Sequence, residues 1–354
     1  MLFGFQEAEY PPRRSHVKCR RQLWIAASLV ITLGFCLPAG AYESAKNKVS
    51  RVETNSAAPG SLWHEPGDIA SLNLRYRSAG KAHEPAGKFK FVKEDKGGTS
   101  PKFDIEDEQG IRWRAKLGEE AKPETAATRL LWAVGYFADE DYYLPELQVE
   151  EMQKLSRGSK FVSADGVIRG ARLKRGRKER KKVGNWSWFD NPFIGTKELN
   201  GLKTMMALMN NWDLKEVNNA IYEEGDGVRQ YEVSDVGATF GRTGNRFIRS
   251  KSNLKDYRGT KFIQRAAPER VDFFLSSRPF FLMAINVPDY IMRTKMQGIV
   301  KKIPRTHAHW VGQLLGRLSA EQIRDCFRAA GYSPEEVEGF ASVVQGRIAE
   351  LNRL

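Results

Sequence analysis

The sequence is poor in the residues that bind metals and form cross-links. Three cysteines (Cys19, Cys36, Cys326) and five histidines are spread over 354 residues. No two cysteines form a C-x-x-C pair, and His307 and His309 stand at a spacing that points apart on a helix, so the ligands of a zinc site are lacking. G-x-S-x-G and H-E-x-x-H do not occur, which removes the nucleophile elbow and the metalloprotease helix from consideration, and a G-x-G-x-x-G loop is absent as well. Long apolar runs are nearly absent as well. The one uncharged stretch of note, LWIAASLVITLGFCL over residues 23–37, falls short of the roughly 20 residues that a membrane-spanning helix needs. Lys18, Arg20 and Arg21 precede it and Pro38-Ala39-Gly40-Ala41 follows, the three-part pattern of a secretory signal over residues 1–41. The chain is therefore expected to be exported to a periplasm, cell surface or secretory lumen. Its mature form should begin near Tyr42, and an uncut leader would leave it membrane-anchored. Removal of the leader leaves Cys326 without a partner for an intramolecular disulfide.

What the chain has in excess is positive charge. The net charge is +14, and residues 169–182 (RGARLKRGRKERKK) carry nine basic side chains against the single acid Glu179. So charged a segment is expected to be a solvated insertion that contributes no core, can be deleted without loss of folding, and could meet an anionic surface. Residues 42–87, rich in Ser, Ala, Pro and Gly, read as a linker whose apolar anchors are Trp63 and residues 69–76. From residue 88 the pattern becomes alternating: KFKFVKE, a turn at GGTSPK, then KFDIEDEQGIRWRAKL with a second turn at residues 108–110. The helical pattern PETAATRLLWAVGY follows, with Ala127, Leu130, Leu131 and Val134 on one face and Gly135 at its end. The remainder reads as mostly helical, with capping boxes at Ser319/Gln322 and Ser333/Glu336. The expected class is α+β, a small β-rich part with one helix over 88–150 and a larger, mostly helical part over 151–354.

The segment NNWDLKEVNNAIY, residues 210–222, lies between a predicted helix and a predicted strand. It sets Asp213, Lys215 and Asn218 on one short loop. A carboxylate can orient an attacking hydroxyl and take its proton, a cation can offset charge on a migrating phosphoryl group, and an amide oxygen can hold magnesium. The strand ending at Val233 then delivers Ser234-Asp235-Val236-Gly237. Upstream, Lys116 ends the strand IRWRAKL, Glu124 sits on the next helix, and Gly97, Gly98 and Lys102 occupy a strand-to-strand turn whose backbone N–H groups could converge on anionic oxygen.

In this order the elements resemble those of the kinases. Asp213-Leu214-Lys215-Glu216-Val217-Asn218 is similar to the protein-kinase catalytic loop H-R-D-L-K-P-E-N, and Asp235-Val236-Gly237 to the D-F-G element. The glycine turn resembles the short phosphate loop of the atypical kinases, the HipA-type and phosphatidylinositol-kinase-like enzymes. The resemblance spans residues 88–240 and departs at Asn211-Trp212, where the protein kinases carry His-Arg, and at Val236. It implies a two-lobed, kinase-like fold and an ATP- and magnesium-dependent phosphotransferase acting on a hydroxyl of protein, lipid or small molecule. Asp213 would then be the base and Lys215 its cationic neighbour, Asn218 and Asp235 the metal ligands, and Lys116 paired with Glu124 would hold the nucleotide beside Gly97, Gly98 and Lys102. The alternative is an exported pseudokinase or scaffold that binds a partner without chemistry.

Overall fold

The computed structural model describes residues 60–77, 80–242, 249–275 and 287–354. The expected leader and the first part of the linker lie outside the described residues. A two-residue strand, β1 (Gly60–Ser61), is followed by β2 (Phe89–Asp95), β3 (Lys102–Asp107), β4 (Arg112–Leu117), helix α1 (Ala121–Ala133), β5 (Asp141–Glu150) and β6 (Val167–Arg175). Strands β2 to β6 close into a barrel in the order β2-β3-β4-β6-β5. Because side chains alternate along a strand, one face of each strand fills the barrel: Phe103 and Ile105, Trp113 and Ala115, and Ala171 and Leu173 are all buried in one apolar cluster. The other face of β4 carries Arg112, Arg114 and Lys116.

A second and larger apolar cluster holds α1 together with the rest of the chain. Its elements are β7 (Lys181–Gly184), α2 (Lys197–Leu208), β8 (Asn219–Glu223), β9 (Arg229–Val233), α3 (Leu254–Gly259), β10 (Ile263–Ala266), β11 (Arg270–Phe273), α4 (Val287–Gly298), β12 (Ile303–Pro304), α5 (Arg305–Gly316), α6 (Ala320–Arg328) and α7 (Pro334–Asn352). The fold is thus mixed α and β. Both predicted capping boxes are present, Ser319 with Gln322 and Ser333 with Glu336. The segment from Gly60 is packed in place: Leu62, Ile69 and Leu74 are buried, the Trp63 indole N–H donates to the Val134 carbonyl (2.6 Å), and β1 pairs in parallel with β9. Gly135 has φ +90°, and a Cβ there would lie 2.1 Å from the His64 carbonyl oxygen, so only glycine allows this close approach.

The basic run 169–182 is not a solvated insertion. Most of β6 belongs to it, and this strand hydrogen-bonds to β4 on one side and β5 on the other, so the barrel wall runs beyond residue 150 to Arg175. Ala171 and Leu173 supply core, Arg172 is buried at 4% exposure, and Arg172, Lys174, Arg177 and Arg180 pair with carboxylates of this same chain. Arg169, Arg177, Lys178, Lys181 and Lys182 remain exposed, so the surface open to an anionic partner is smaller than the charge count suggests. The part beyond 150 also has more strand than its sequence suggests, including the three-stranded sheet β10-β11-β12.

Candidate active site

Register brings the first group of residues together. Lys116 on β4 stands opposite Lys102 on β3 and Arg172 on β6, and residues directly opposite on paired strands share a face. Three cations therefore line up across the outer wall of the barrel, against α1. The Lys116 ammonium, 2% exposed, donates to Glu124 Oε2 (2.9 Å), Asp235 Oδ1 (3.1 Å) and Glu120 Oε2 (2.7 Å). Glu124 also accepts from Arg172 Nη2 at 2.9 Å. Burial pulls the Lys116 ammonium toward neutrality, but the carboxylates of Glu124, Asp235 and Glu120 outweigh it and hold the pKa well above the ordinary lysine value. Glu124 moves the other way: Arg172 and Lys116 overcome its burial and lower it. Lys102 is lowered by burial, with the Lys116 charge adding to the effect.

Asp235 follows β9. Burial raises its pKa, helped by the negative charge of Glu124 and opposed by Lys116. Its side chain keeps 40% of its surface exposed, and its Oδ1 accepts from the Gly237 N–H at 3.2 Å. The Asp213 loop is tied to this strand. The Asn218 carbonyl accepts from the Ser234 N–H at 2.8 Å, one residue before Asp235, and Trp212 N–H donates to the Ala238 carbonyl at 3.3 Å. Within the loop, Lys215 Nζ lies 2.9 Å from Asp213 Oδ1. Asn218 Nδ2 donates to the Asp213 carbonyl (2.7 Å) and Oδ2 (3.3 Å). That bond spends the Asn218 nitrogen, so its Oδ1 is the atom left to meet a cation.

Asn210-Asn211-Trp212 supports this loop in place of His-Arg. Asn210 takes φ +53° at the end of α2, a left-handed turn that asparagine tolerates. Its Oδ1 accepts from Arg347 of α7 at 3.1 Å, and that guanidinium also caps the Leu208 carbonyl at 2.8 Å. Asn211 Oδ1 accepts from the Asp213 N–H at 3.1 Å. Trp212 Nε1 donates to the Ser250 carbonyl at 3.1 Å, and the Lys251 ammonium sits 5.4 Å from its ring centroid. An indole thus anchors the segment beyond Gly237 by a hydrogen bond and cation–π attraction.

Gly97 and Gly98 form the β2–β3 turn, Gly98 with φ +69°. The Gly97 N–H donates to Asp95 Oδ1 at 2.9 Å, and the Arg157 guanidinium closes over the carbonyls of Gly97 and Gly98. A Cβ at Gly98 would stand 3.4 Å from Lys102 Nζ, so the ammonium folds over the turn. Four residues of the site escaped the sequence reading: Glu120, Lys251, Arg157, and Arg293 of α4, whose guanidinium reaches Asp213 Oδ1 at 3.4 Å. Only Glu120 carried a local signal, four residues beyond Lys116. Among the described residues no three His, Cys, Asp or Glu side chains form a ready metal cluster.

Behind the Lys116 row lies Asp141, fully buried, its Oδ1 3.5 Å from Arg172 Nη1. Burial raises its pKa, and although Arg172 opposes this, Glu124 and Asp139 add to it; the result is a carboxyl pushed up to about 6. The folded chain therefore keeps this proton at pH values where the unfolded chain has lost it, so the stability it contributes is present below about pH 4 and is lost as pH rises through 6. Asp141→Asn should remove that loss. Denaturant melts between pH 4 and 8 are expected to show the variant gaining on the wild type across this window, and parallel profiles would refute it.

No protein-family profile and no curated protein sequence matches the chain. Among solved structures it is similar to the Helicobacter pylori proinflammatory kinase CtkA, at 11% identity and TM-score 0.42, over 76% of this chain and 98% of that one. It is also similar to the Golgi casein kinase, at 12% identity and TM-score 0.31, over 74% of this chain and 73% of that one. The same enzyme with Mn/ADP bound overlaps at TM-score 0.30 and 12% identity, over 75% of each chain.

Proposed function

We propose that the chain is a kinase-like phosphotransferase that takes magnesium and ATP and acts on a hydroxyl group. One observation carries this reading: the buried Lys116 ammonium joins a helix carboxylate, Glu124, to Asp235, while the Asp213–Asn218 loop is hydrogen-bonded to the strand end that delivers Asp235. The donor set fits a magnesium nucleotide. Glu120, Glu124 and Asp235 gather negative charge around Lys116, Asp235 faces outward, and Asn218 has an amide oxygen to give. Magnesium bound there would supply the positive charge that neutralises phosphate oxygens in transfer. Lys116, positioned by Glu124, holds the phosphates beside Lys102 and the Gly97-Gly98 turn. Asp213 orients the acceptor hydroxyl and takes its proton, and Lys215, 2.9 Å from that carboxylate, offsets charge at the transferring group. The glycine turn supports a placement near the HipA-type and phosphatidylinositol-kinase-like enzymes. Export by the leader over 1–41 is part of the same proposal.

Turnover of γ-labelled ATP by the purified chain, with water and protein, lipid and sugar hydroxyls offered as acceptors, tests the reading. Magnesium-dependent release or transfer of label is expected. The saturation of Lys116 by three carboxylates favours a second reading, a pseudokinase or scaffold, and binding of Mg-ATP without any turnover would select it.

A further inference from the structure

An ammonium has three protons to donate, and Lys116 gives all of them to carboxylates of this chain. A phosphate can therefore reach it only if one carboxylate leaves. Glu124 is 1% exposed and held a second time by Arg172. Asp235 is fixed by the Gly237 N–H. Glu120 differs from both. It precedes α1 and its side chain makes no capping bond to that helix. Instead its carboxylate reaches into the space between three separate elements, where Oε2 accepts from Ser100 Oγ of the glycine turn at 2.8 Å and from Lys116 at 2.7 Å, and Oε1 meets the ammonium of Lys251. Burial opposes its charge, yet Lys116 and Lys251 hold its pKa far below the ordinary glutamate value. Its stem lies flat on Gly237, where a Cβ would come within 2.7 Å of the Glu120 Cβ.

A hydroxyl and two ammoniums converging on one carboxylate are the donors that a phosphate oxyanion requires. We propose that Ser100, Lys116 and Lys251 form a phosphate subsite and that the Glu120 carboxylate is a built-in competitor that occupies it until the ligand's phosphate displaces it. The assignment takes the phosphotransferase reading as its premise and adds Ser100 and Lys251 to the residues that grip the ligand. Displacement releases the Glu120 contacts of both ammoniums at once, so one carboxylate charge is exchanged for the greater charge of a phosphate. The cost of expelling a well-held anion lowers the apparent affinity of the wild-type chain.

The test is calorimetry with two probes, inorganic pyrophosphate and Mg-ATP, on the wild type, Glu120→Gln and Lys251→Met, each first shown by its melt to be folded. Glu120→Gln is expected to bind pyrophosphate at least tenfold more tightly than the wild type, and Lys251→Met at least tenfold more weakly. Equal or weaker pyrophosphate binding in Glu120→Gln overturns the subsite, whatever Mg-ATP does. Tighter pyrophosphate binding with no affinity for Mg-ATP in any variant keeps the subsite and removes the phosphotransferase premise. Should Glu120→Gln fail to fold, Glu120→Ala removes the same carboxylate without adding an atom at the crowded Gly237 contact and is expected to tighten pyrophosphate binding in the same direction, with no tightening counting against the proposal.

Discussion

Asp213→Asn should lower phosphate transfer by about 10² to 10⁴, the usual worth of a positioned base, while leaving Mg-ATP affinity within about twofold, since a pure transition-state role leaves ground-state binding untouched. The expectation follows from where the side chain stands. Its oxygens meet Lys215, Asn218 and Arg293 and not the Lys116 row, so the change removes a proton acceptor without touching the groups assigned to the phosphates. Turnover and calorimetry on the same sample check it. Asparagine keeps the size and the hydrogen-bonding reach of the side chain, so the melt should stay within about 1 kcal/mol of wild type, the scale of one lost hydrogen bond. Full turnover in Asp213→Asn would show that this loop is a turn and nothing more.

The second large effect concerns the barrel. Deleting residues 172–182 takes out half of β6 and all of the Arg172 network, and no cooperative melt should survive. A finer version is Arg172→Met. It leaves Glu124 and Asp141 buried near each other without the guanidinium that pairs with both, and breaking a buried pair in this way costs roughly 3 to 5 kcal/mol. Chemical denaturation measures it, and a loss below about 1 kcal/mol, the worth of an exposed surface pair, would mean that Arg172 is not structurally engaged.

How much of this was legible in the sequence depends on distance along the chain. The strand alternation before Lys116, the helix that carries Glu124, the glycine turn and the Asp213–Asn218 spacing are local patterns, and the structure places Lys116 against Glu124 at 2.9 Å. The strand β6 was hidden because nine basic residues over 169–182 read as solvation, although Ile168, Ala171 and Leu173 are core residues within its span. Lysine and arginine can form a strand face when carboxylates from other elements meet them, and those carboxylates, Glu124 on α1, Asp139 before β5 and Asp141 on β5, lie outside any local window. The same holds for the contact between Glu120 and Lys251, 131 residues apart, and for Arg293, 80 residues from Asp213. Trp212 was visible as a departure from His-Arg, but its partner Ser250 was not, since only the folded chain brings the two segments together.

The central claim is that Asp235 serves a bound nucleotide and its metal, and calorimetry of Mg-ATP binding to the wild-type chain and to Asp235→Ala tests it most directly. Magnesium-dependent binding by the wild type is expected, with at least a tenfold loss in the variant and both chains folded. Equal affinity in the two would contradict it.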